Sequence, residues 1–310
     1  MRNKIYAEFL ATCDTRNATV HDIIKLGAKL MRKHKVHHHF FGDCTLWATA
    51  EHLTYHALQE QRNIAAKITV PEATAILELF ERRIASRLPV EYITNTAQYL
   101  DYTYYVNENV LVPRSIMNTR FKDFLAAISW DQRRVLDLCA GSGCVGITLA
   151  LLDAQLQVDL ADISPQALDV ARVNIARHAV GDRVKCVHSD LFANVQATYD
   201  LIITNPPYVS VQEYKRCPEE FKQEPKIALE SGSDGLDIIH RILTQAKNYL
   251  NPNGVLIAEV GFTAAKRVKQ RYPRVKFKWF KYRRPNGRES MFGMHGVLWC
   301  ARADLPGVGY

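Results

Sequence analysis

Asn205-Pro206-Pro207-Tyr208 closes an apolar run, Asp200 to Thr204, that reads as a buried strand. Two successive prolines remove two backbone donors, fix φ at both positions and hold the residue before each of them extended. Such a turn offers carbonyls without competing N–H groups, between the amide of Asn205 and the ring of Tyr208. These parts suit chemistry on a planar, conjugated nitrogen, in an amide or an exocyclic base amine, whose lone pair is delocalised. The side-chain oxygen of Asn205 can accept one N–H of that group and the carbonyl of Pro206 the other. Rigid φ values at Pro206 and Pro207 hold both acceptors in place. Tyr208 supplies a π-face for the flat group. Nitrogen becomes acidic once alkylated, so no general base is needed. The plainer alternative is a rigid turn in which Asn205 caps its own backbone.

Three aspartates end three further strand-like runs: Asp137 after RVL, Asp162 after VDLA and Asp190 after VKCVHS. Asp137 is followed by Leu-Cys139-Ala140-Gly141-Ser142-Gly143-Cys-Val-Gly146, a turn that lets backbone come close to a ligand at the switch point of a sheet. Gly141, Gly143 and Gly146 satisfy G-x-G-x-x-G, which alone would fit a nicotinamide dinucleotide with Asp162 on a ribose hydroxyl. Asp137 argues against it, because an acid beside the turn repels a pyrophosphate. S-adenosylmethionine has no phosphates and carries an ammonium and a sulfonium, which an acid favours. Asp137 then takes the ammonium, directly or through water, Asp162 the ribose hydroxyls, and Asp190 the adenine amine with Leu191 or Phe192 against the ring. The cofactor contacts expected are therefore Asp137, Cys139, Ala140, Gly141, Ser142, Gly143, Asp162, Ile163, Asp190, Leu191 and Asn205. Asp190 also reads, alternatively, as an N-cap of a helix over LFANV.

The elements that must carry these residues follow from periodicity. Apolar residues three and four apart in ATVHDIIKLGAKLMRKH, LWATAEHLTYHALQE and PEATAILELFERRIASRL predict helices, the last opened by the capping box Thr69-Val-Pro-Glu72. Residues 1–88 thus form a small helical domain. In 89–114, aromatic and β-branched runs broken at Leu100-Asp101 predict a hairpin linker ending in Val112-Pro113-Arg114. Arg114 either steadies a substrate carbonyl or pairs with a nearby acid. From 115 to 310, the strands RVLDL, VDLAD, VKCVHSD, DLIIT and GVLIAEV alternate with helical segments such as SPQALDVARVNIARH. That alternation predicts an α/β, Rossmann-like, doubly wound parallel sheet covered on both faces.

At 310 residues and 47% hydrophobic the chain has ordinary globular composition, with no run long enough to span a membrane. Its amino-terminal segment is interrupted by Glu8 and Asp14, unlike a signal peptide, and its seven cysteines form no CxxC pair, so a cytoplasmic protein with free thiols is expected. Cys139 and Cys144 lack a His or Asn partner in any nucleophile motif. The histidines at 34, 37–39, 52 and 56 do not complete a zinc-like ligand set, so no metal is expected. The net charge of +8 is uneven, because Lys266 to Arg288 carries eleven Lys and Arg and no acid, with aromatics interleaved. VKFKW within it reads as a strand near the sheet edge, and the same stretch can also serve as a footprint for nucleic acid such as RNA.

Asp137-Leu-Cys-Ala-Gly-Ser-Gly, Asp162-Ile-Ser-Pro and Asn205-Pro-Pro-Tyr together resemble the class I S-adenosylmethionine-dependent methyltransferases that modify amino groups conjugated to a π-system. Val110-Leu-Val-Pro-Arg114, Leu88-Pro-Val-Glu-Tyr-Ile-Thr-Asn95 and the stretch from Gln223 to Asp237 resemble one branch, the protein glutamine methyltransferases. The resemblance implies a seven-stranded sheet, transfer of a methyl group to a glutamine amide, and substrate contacts at Arg114 and Asn205 to Tyr208. Within that branch, Ser115 after Arg114 and the cysteines bracketing the glycine turn resemble enzymes acting on large-subunit ribosomal protein three rather than on release factors. The chain departs from that pattern in Ser115-Ile-Met-Asn-Thr-Arg120, where the branch reads S-P-I with an acid soon after. The resemblance thus implies a ribosomal protein as partner and a role in ribosome biogenesis. A release-factor enzyme, a nucleic-acid amine methyltransferase and a non-catalytic assembly factor are the alternatives.

Overall fold

The computed structural model describes residues 18–36, 45–281 and 295–307; His37 to His39 and 282–288 of the basic stretch lie outside the described residues. The chain divides into two compact units, one running to Thr96 and including Cys217–Glu224, the other holding Ala97–Arg216 and Pro225 onward.

In the first unit the three predicted helices form at Val20–Lys33, Leu46–Leu58 and Val70–Ser86, followed by the short helix Val90–Thr94. Glu72 Oε2 accepts from Thr69 N at 2.7 Å while Thr69 Oγ1 accepts from Glu72 N, as the capping box requires. A second box, Thr19 with Asp22, opens the first helix. Ile23, Ile24, Leu30, Ile76 and Phe80 supply the core between the helices. His52 is a half-buried imidazole whose Nε2 lies 3.2 Å from Thr94 Oγ1, and burial lowers its pKa. Among the described residues no cluster of His, Cys, Asp and Glu can hold a metal ion, and no helix is long and apolar enough to cross a membrane.

The second unit carries the hairpin, β1 (Thr96–Tyr99) and β2 (Tyr102–Tyr105), with Leu100 at the turn in the left-handed region, φ 53°. Its sheet comprises β3 (Arg134–Leu138), β4 (Gln157–Asp162), β5 (Val184–His188), β6 (Tyr199–Thr204), β7 (Leu250–Gly261), β8 (Lys278–Lys281) and β9 (His295–Ala301). The order is β5-β4-β3-β6-β7-β9-β8. The first five strands are parallel, as βαβ crossovers dictate, but β9 runs antiparallel to both of its neighbours. The sheet is therefore mixed rather than wholly parallel. The run VKFKW pairs only from Lys278, yet it alternates as expected: Lys276 and Lys278 are exposed, and Phe277 and Trp279 pack on the core at the sheet edge.

Alternation along the strands sends side chains to two cores. Val135, Leu201, Ile203, Val255 and Ile257 face the side that holds the hairpin and the helix Cys144–Leu152. Leu136, Ile202, Leu256 and Ala258 face the helices Asp237–Gln245 and Phe262–Arg271. On the first side the hairpin is fixed to the glycine turn by one buried amide. Asn174, fully buried in the helix Pro165–Arg177, donates through Nδ2 to Tyr105 O and Ser142 O, both at 2.9 Å, and accepts from Tyr105 N at 2.7 Å. Asn174→Ala removes all three bonds and leaves buried groups unpaired, which costs on the order of 2–3 kcal/mol. The expected outcome is a lower melting temperature together with weaker cofactor binding, read by calorimetry on the same preparation; an unchanged melting temperature would exclude the clamp.

Candidate active site

β3 and β6 end at the same level. Leu138 pairs with Thr204 in register, and the buried Thr204 Oγ1 donates to Leu138 O at 2.6 Å, locking the two strand ends together. The glycine turn leaves one strand and Asn205 the other, side by side. A cavity of about 230 Å³ opens there, on the carboxyl edge where such sheets bind ligands. Of the residues expected to bind cofactor or substrate, Asp137, Cys139, Ala140, Gly141, Ser142, Asp162, Ile163, Asp190, Leu191, Asn205, Pro207 and Arg114 line it. Gly143, Pro206 and Tyr208 stand outside its lining.

The turn owes its shape to backbone that glycine accepts. Gly143 has φ 77°, and a Cβ there would lie 2.9 Å from Leu160 Cδ1. Cys139 and Leu191, at φ 60° and 51°, adopt the left-handed region without being glycine, each at a cost of about 1–2 kcal/mol. Both sit in the cavity wall, where such strain commonly gathers.

The aspartates differ in environment. Asp137 is 1% exposed; burial raises its pKa to about 7, against the pull of the Gly146 N–H donated to Oδ2 at 2.8 Å, and the charge of Asp162 pushes it further up. Asp162 accepts from Gly141 N at 2.8 Å and Ser164 N at 2.9 Å, and burial still leaves its pKa raised. Asp190 is half-exposed and pairs with Arg241 at 2.9 Å. No helix forms over LFANV, which is a series of turns, so the N-cap alternative for Asp190 is not realised. The Cys139 and Cys144 thiols are pushed up by burial and by the neighbouring aspartates, Cys144 to about 12, which opposes thiolate formation.

At Asn205 the side-chain Oδ1 is buried and has no hydrogen-bond partner among the described residues. A buried acceptor left unpaired costs about 1–3 kcal/mol, and a ligand N–H in the cavity would satisfy it. The turn is gripped from outside by the segment 225–235: Val209 N donates to Leu229 O at 2.8 Å, Ser231 N to Val209 O at 2.9 Å and Val211 N to Gly232 O at 3.0 Å. Gly235, at φ 76°, lies so close that a Cβ would stand 2.5 Å from Tyr208 O. Tyr208 lays its ring over Gly261 and directs its hydroxyl to Glu259.

Sequence reasoning missed Arg241, Glu259 and the cavity residues Ile227 and Glu230. Arg241 lies 51 positions from Asp190, beyond any local pattern. Glu259 did carry a signal, as the lone acid in GVLIAEVG.

The donor set discriminates between ligands. A phosphate at the glycine turn would meet the carboxylates of Asp137 and Asp162, whereas an ammonium and a sulfonium would find counter-charges there. The residues fit S-adenosylmethionine. Comparison with known proteins agrees. Residues 121–234 match the family model "Methyltransferase small domain". The chain is 35% identical over 273 residues to the ribosomal protein uL3 glutamine methyltransferase of Neisseria meningitidis serogroup B, covering 85% of this chain and 89% of that protein. It is 39% identical over 219 residues to its counterpart from Neisseria gonorrhoeae, covering 70% and 73%. Among solved structures, the hMettl16 catalytic domain in complex with MAT2A 3'UTR hairpin 6 superposes with a TM-score of 0.51 at 16% identity, over 81% of this chain and 92% of that one. That likeness concerns the fold.

The expectation that Asp137 takes the cofactor's ammonium carries a pH dependence that can be measured. In the free protein the Asp137 pKa is raised from 3.8 to about 7, so the folded state binds the proton more tightly than the unfolded one. Its contribution to stability therefore falls as pH rises from about 4 to about 7 and is level above. Cofactor binding runs the opposite way, since only the carboxylate pairs with the ammonium: affinity should rise up to pH about 7 and then flatten. Asp137→Asn should weaken binding by about 10–100-fold and remove most of that slope. Isothermal titration between pH 5.5 and 8.5 reads both effects, and an Asn variant with the wild-type slope would rule Asp137 out.

Proposed function

The chain belongs to the ribosomal protein uL3 glutamine methyltransferase family, and on that premise we propose that it transfers a methyl group from S-adenosylmethionine to a side-chain amide nitrogen of a glutamine in uL3, in the cytoplasm. The single observation that carries the acceptor half of this reading is the unpaired, buried Oδ1 of Asn205 in the cavity wall, one residue beyond the strand lock.

Bound S-adenosylmethionine supplies an electrophilic methyl group on a positively charged sulfur. Asp137 takes its ammonium, Asp162 its ribose hydroxyls, and Asp190 its adenine amine beside Ile163 and Leu191. Asn205 Oδ1 and the Pro206 carbonyl accept the two N–H bonds of the glutamine amide and turn its lone pair toward the methyl group. Tyr208 and Pro207 fix the frame of that clamp. The nitrogen–carbon bond forms as the sulfur–carbon bond breaks, the electron pair stays on sulfur, and the now acidic nitrogen releases its proton to solvent. Orientation and a dry site do most of this work, so a general base is not required. Arg114, whose charge also favours the ionised form of Glu259, stands at the cavity to receive the amide carbonyl or a neighbouring acceptor group. The helical first unit and the hairpin supply recognition of the protein.

Exposed Lys266, Lys269, Arg271, Arg274, Lys276 and Lys278 form a cationic surface on the second unit. In this reading it approaches ribosomal RNA when the substrate is part of an assembling subunit. Lys266→Gln with Lys269→Gln should leave methylation of free uL3 unchanged and lower the salt dependence of RNA binding by about one unit of slope per lost phosphate contact.

Asn205→Ala should keep cofactor affinity within a few-fold while lowering kcat by about 10²–10³, because it removes an interaction made at the reacting group. Purified protein with methyl-labelled S-adenosylmethionine and either uL3 or deproteinised nucleic acid identifies the acceptor. Mass spectrometry should find one added methyl group on a single glutamine of uL3. Label on nucleic acid alone would overturn the assignment.

A further inference from the structure

Near the end of β7, Glu259 is 3% exposed within the apolar run from Val255 to Val260. Its alternation with Val255 and Ile257 places it on the hairpin side of the sheet. Oε2 accepts from Ser115 Oγ at 2.6 Å and from Ile116 N at 2.9 Å, and the Tyr208 hydroxyl donates to the same carboxylate. One acid thus joins the Arg114-Ser115-Ile116 segment, 144 positions away, to the Asn205-Tyr208 turn. Ser115, Arg114, Asn205 and Pro207 all line the cavity, so the joined segments are two of its walls. A carboxylate buried among Leu, Ile and Val carries a large desolvation cost, which an apolar side chain would avoid. Here that cost is offset by three donors, all of them from segments that frame the acceptor.

We propose that Glu259 is a positioning residue for the acceptor side of the reaction: its carboxylate sets the placement of Tyr208, and through it the Asn205-Pro206 clamp, relative to the Arg114-Ser115 wall. The proposal rests on the reading of Asn205 to Tyr208 as the acceptor clamp. Apart from Asn205, the expected cofactor contacts lie at the ends of β3, β4 and β5, and the donors to Glu259 come from none of those ends, so its loss should act mainly on transfer and largely spare cofactor binding.

The test combines three variants of the full chain, Glu259→Gln, Ser115→Ala and Tyr208→Phe, with the Ser115→Ala/Tyr208→Phe double variant. Each is assayed for S-adenosylmethionine affinity by titration and for single-turnover transfer at saturating cofactor. Glu259→Gln should hold the dissociation constant within about twofold while the transfer rate falls at least about tenfold. Ser115 and Tyr208 meet through Glu259, so their double variant should lose less than the product of the two single losses, by at least about threefold. Wild-type transfer in Glu259→Gln, or single losses that simply multiply, would overturn the proposal. Should Glu259→Gln fail to fold, seen by circular dichroism, the Ser115–Tyr208 cycle decides alone. Label is counted on whichever acceptor the wild type modifies. A wrong glutamine assignment therefore shows up as label elsewhere, separately from an absent coupling.

Discussion

The proposed transfer to an amide requires two molecules to meet within a bond length, and the lateral pairing of β3 with β6 fixes where the glycine turn and Asn205 stand relative to one another. Parallel strands have no intrinsic stop, so the level at which each ends relative to the next must be fixed by side chains. Thr204 does this, spending its hydroxyl on the carbonyl of Leu138 rather than on its own turn. Everything at the site is counted from that bond. The glycine turn begins one residue past Leu138, and Asn205 stands one residue past Thr204, so the glycine turn and the Asn205-Tyr208 turn share one rim. A register shift of one residue would send Asn205 to the opposite face of the sheet.

The electrostatics of the rim follow from the same alignment. Consecutive strands end in Asp137, Asp162 and, just past β5, Asp190, which brings acids together on a dry edge. Burial raises the proton affinity of the first two, the charge of Asp162 raises that of Asp137 further, and a positively charged ligand relieves both effects. The third is already paired with Arg241, so it enters the site as an oriented acceptor rather than a free charge. Asp137 and Asp162, the acids nearest the glycine turn, are the two whose ionised form burial disfavours, whereas Asp190 already has Arg241 as a counter-ion.

Much of this was legible because it is local. Helix periodicity, the Thr69–Glu72 box, the hairpin break at Leu100 and the acid at each strand end are all read over a few residues, and each appears where the sequence puts it. What stayed hidden are contacts made across the fold. Asn174 sits in a run that reads as an ordinary helix, and nothing nearby reveals that it clamps Tyr105 and Ser142. Arg241 and Ile227 reach the cavity from distant segments. Reversal of β9 was equally invisible, since the strand pattern carries no direction. The alternative reading of Asp190 as the cap of a helix over LFANV is not realised, for a local reason: Leu191 takes a left-handed conformation, which ends any helix at its first residue.

The clamp cannot by itself tell a glutamine amide from a base amine, because both present two N–H bonds on a flat, conjugated nitrogen. Discrimination must come from what surrounds the nitrogen. A base is a rigid plate that needs a wide slot and stacking on both faces, whereas a glutamine arrives at the end of a flexible chain attached to a protein. Here the ring of Tyr208 lies over Gly261 with its hydroxyl committed to Glu259, so one aromatic face is spoken for by the protein itself. The segment 225–235 closes on the backbone of the turn through three hydrogen bonds and brings Ile227, 57% exposed, to the mouth of the cavity. Ile227, Pro225 and Val112 in the cavity lining offer apolar contact to a methylene stem, and the unpaired Oδ1 of Asn205 offers an acceptor to an amide tip. These parts are compatible in chemistry with the acceptor proposed above.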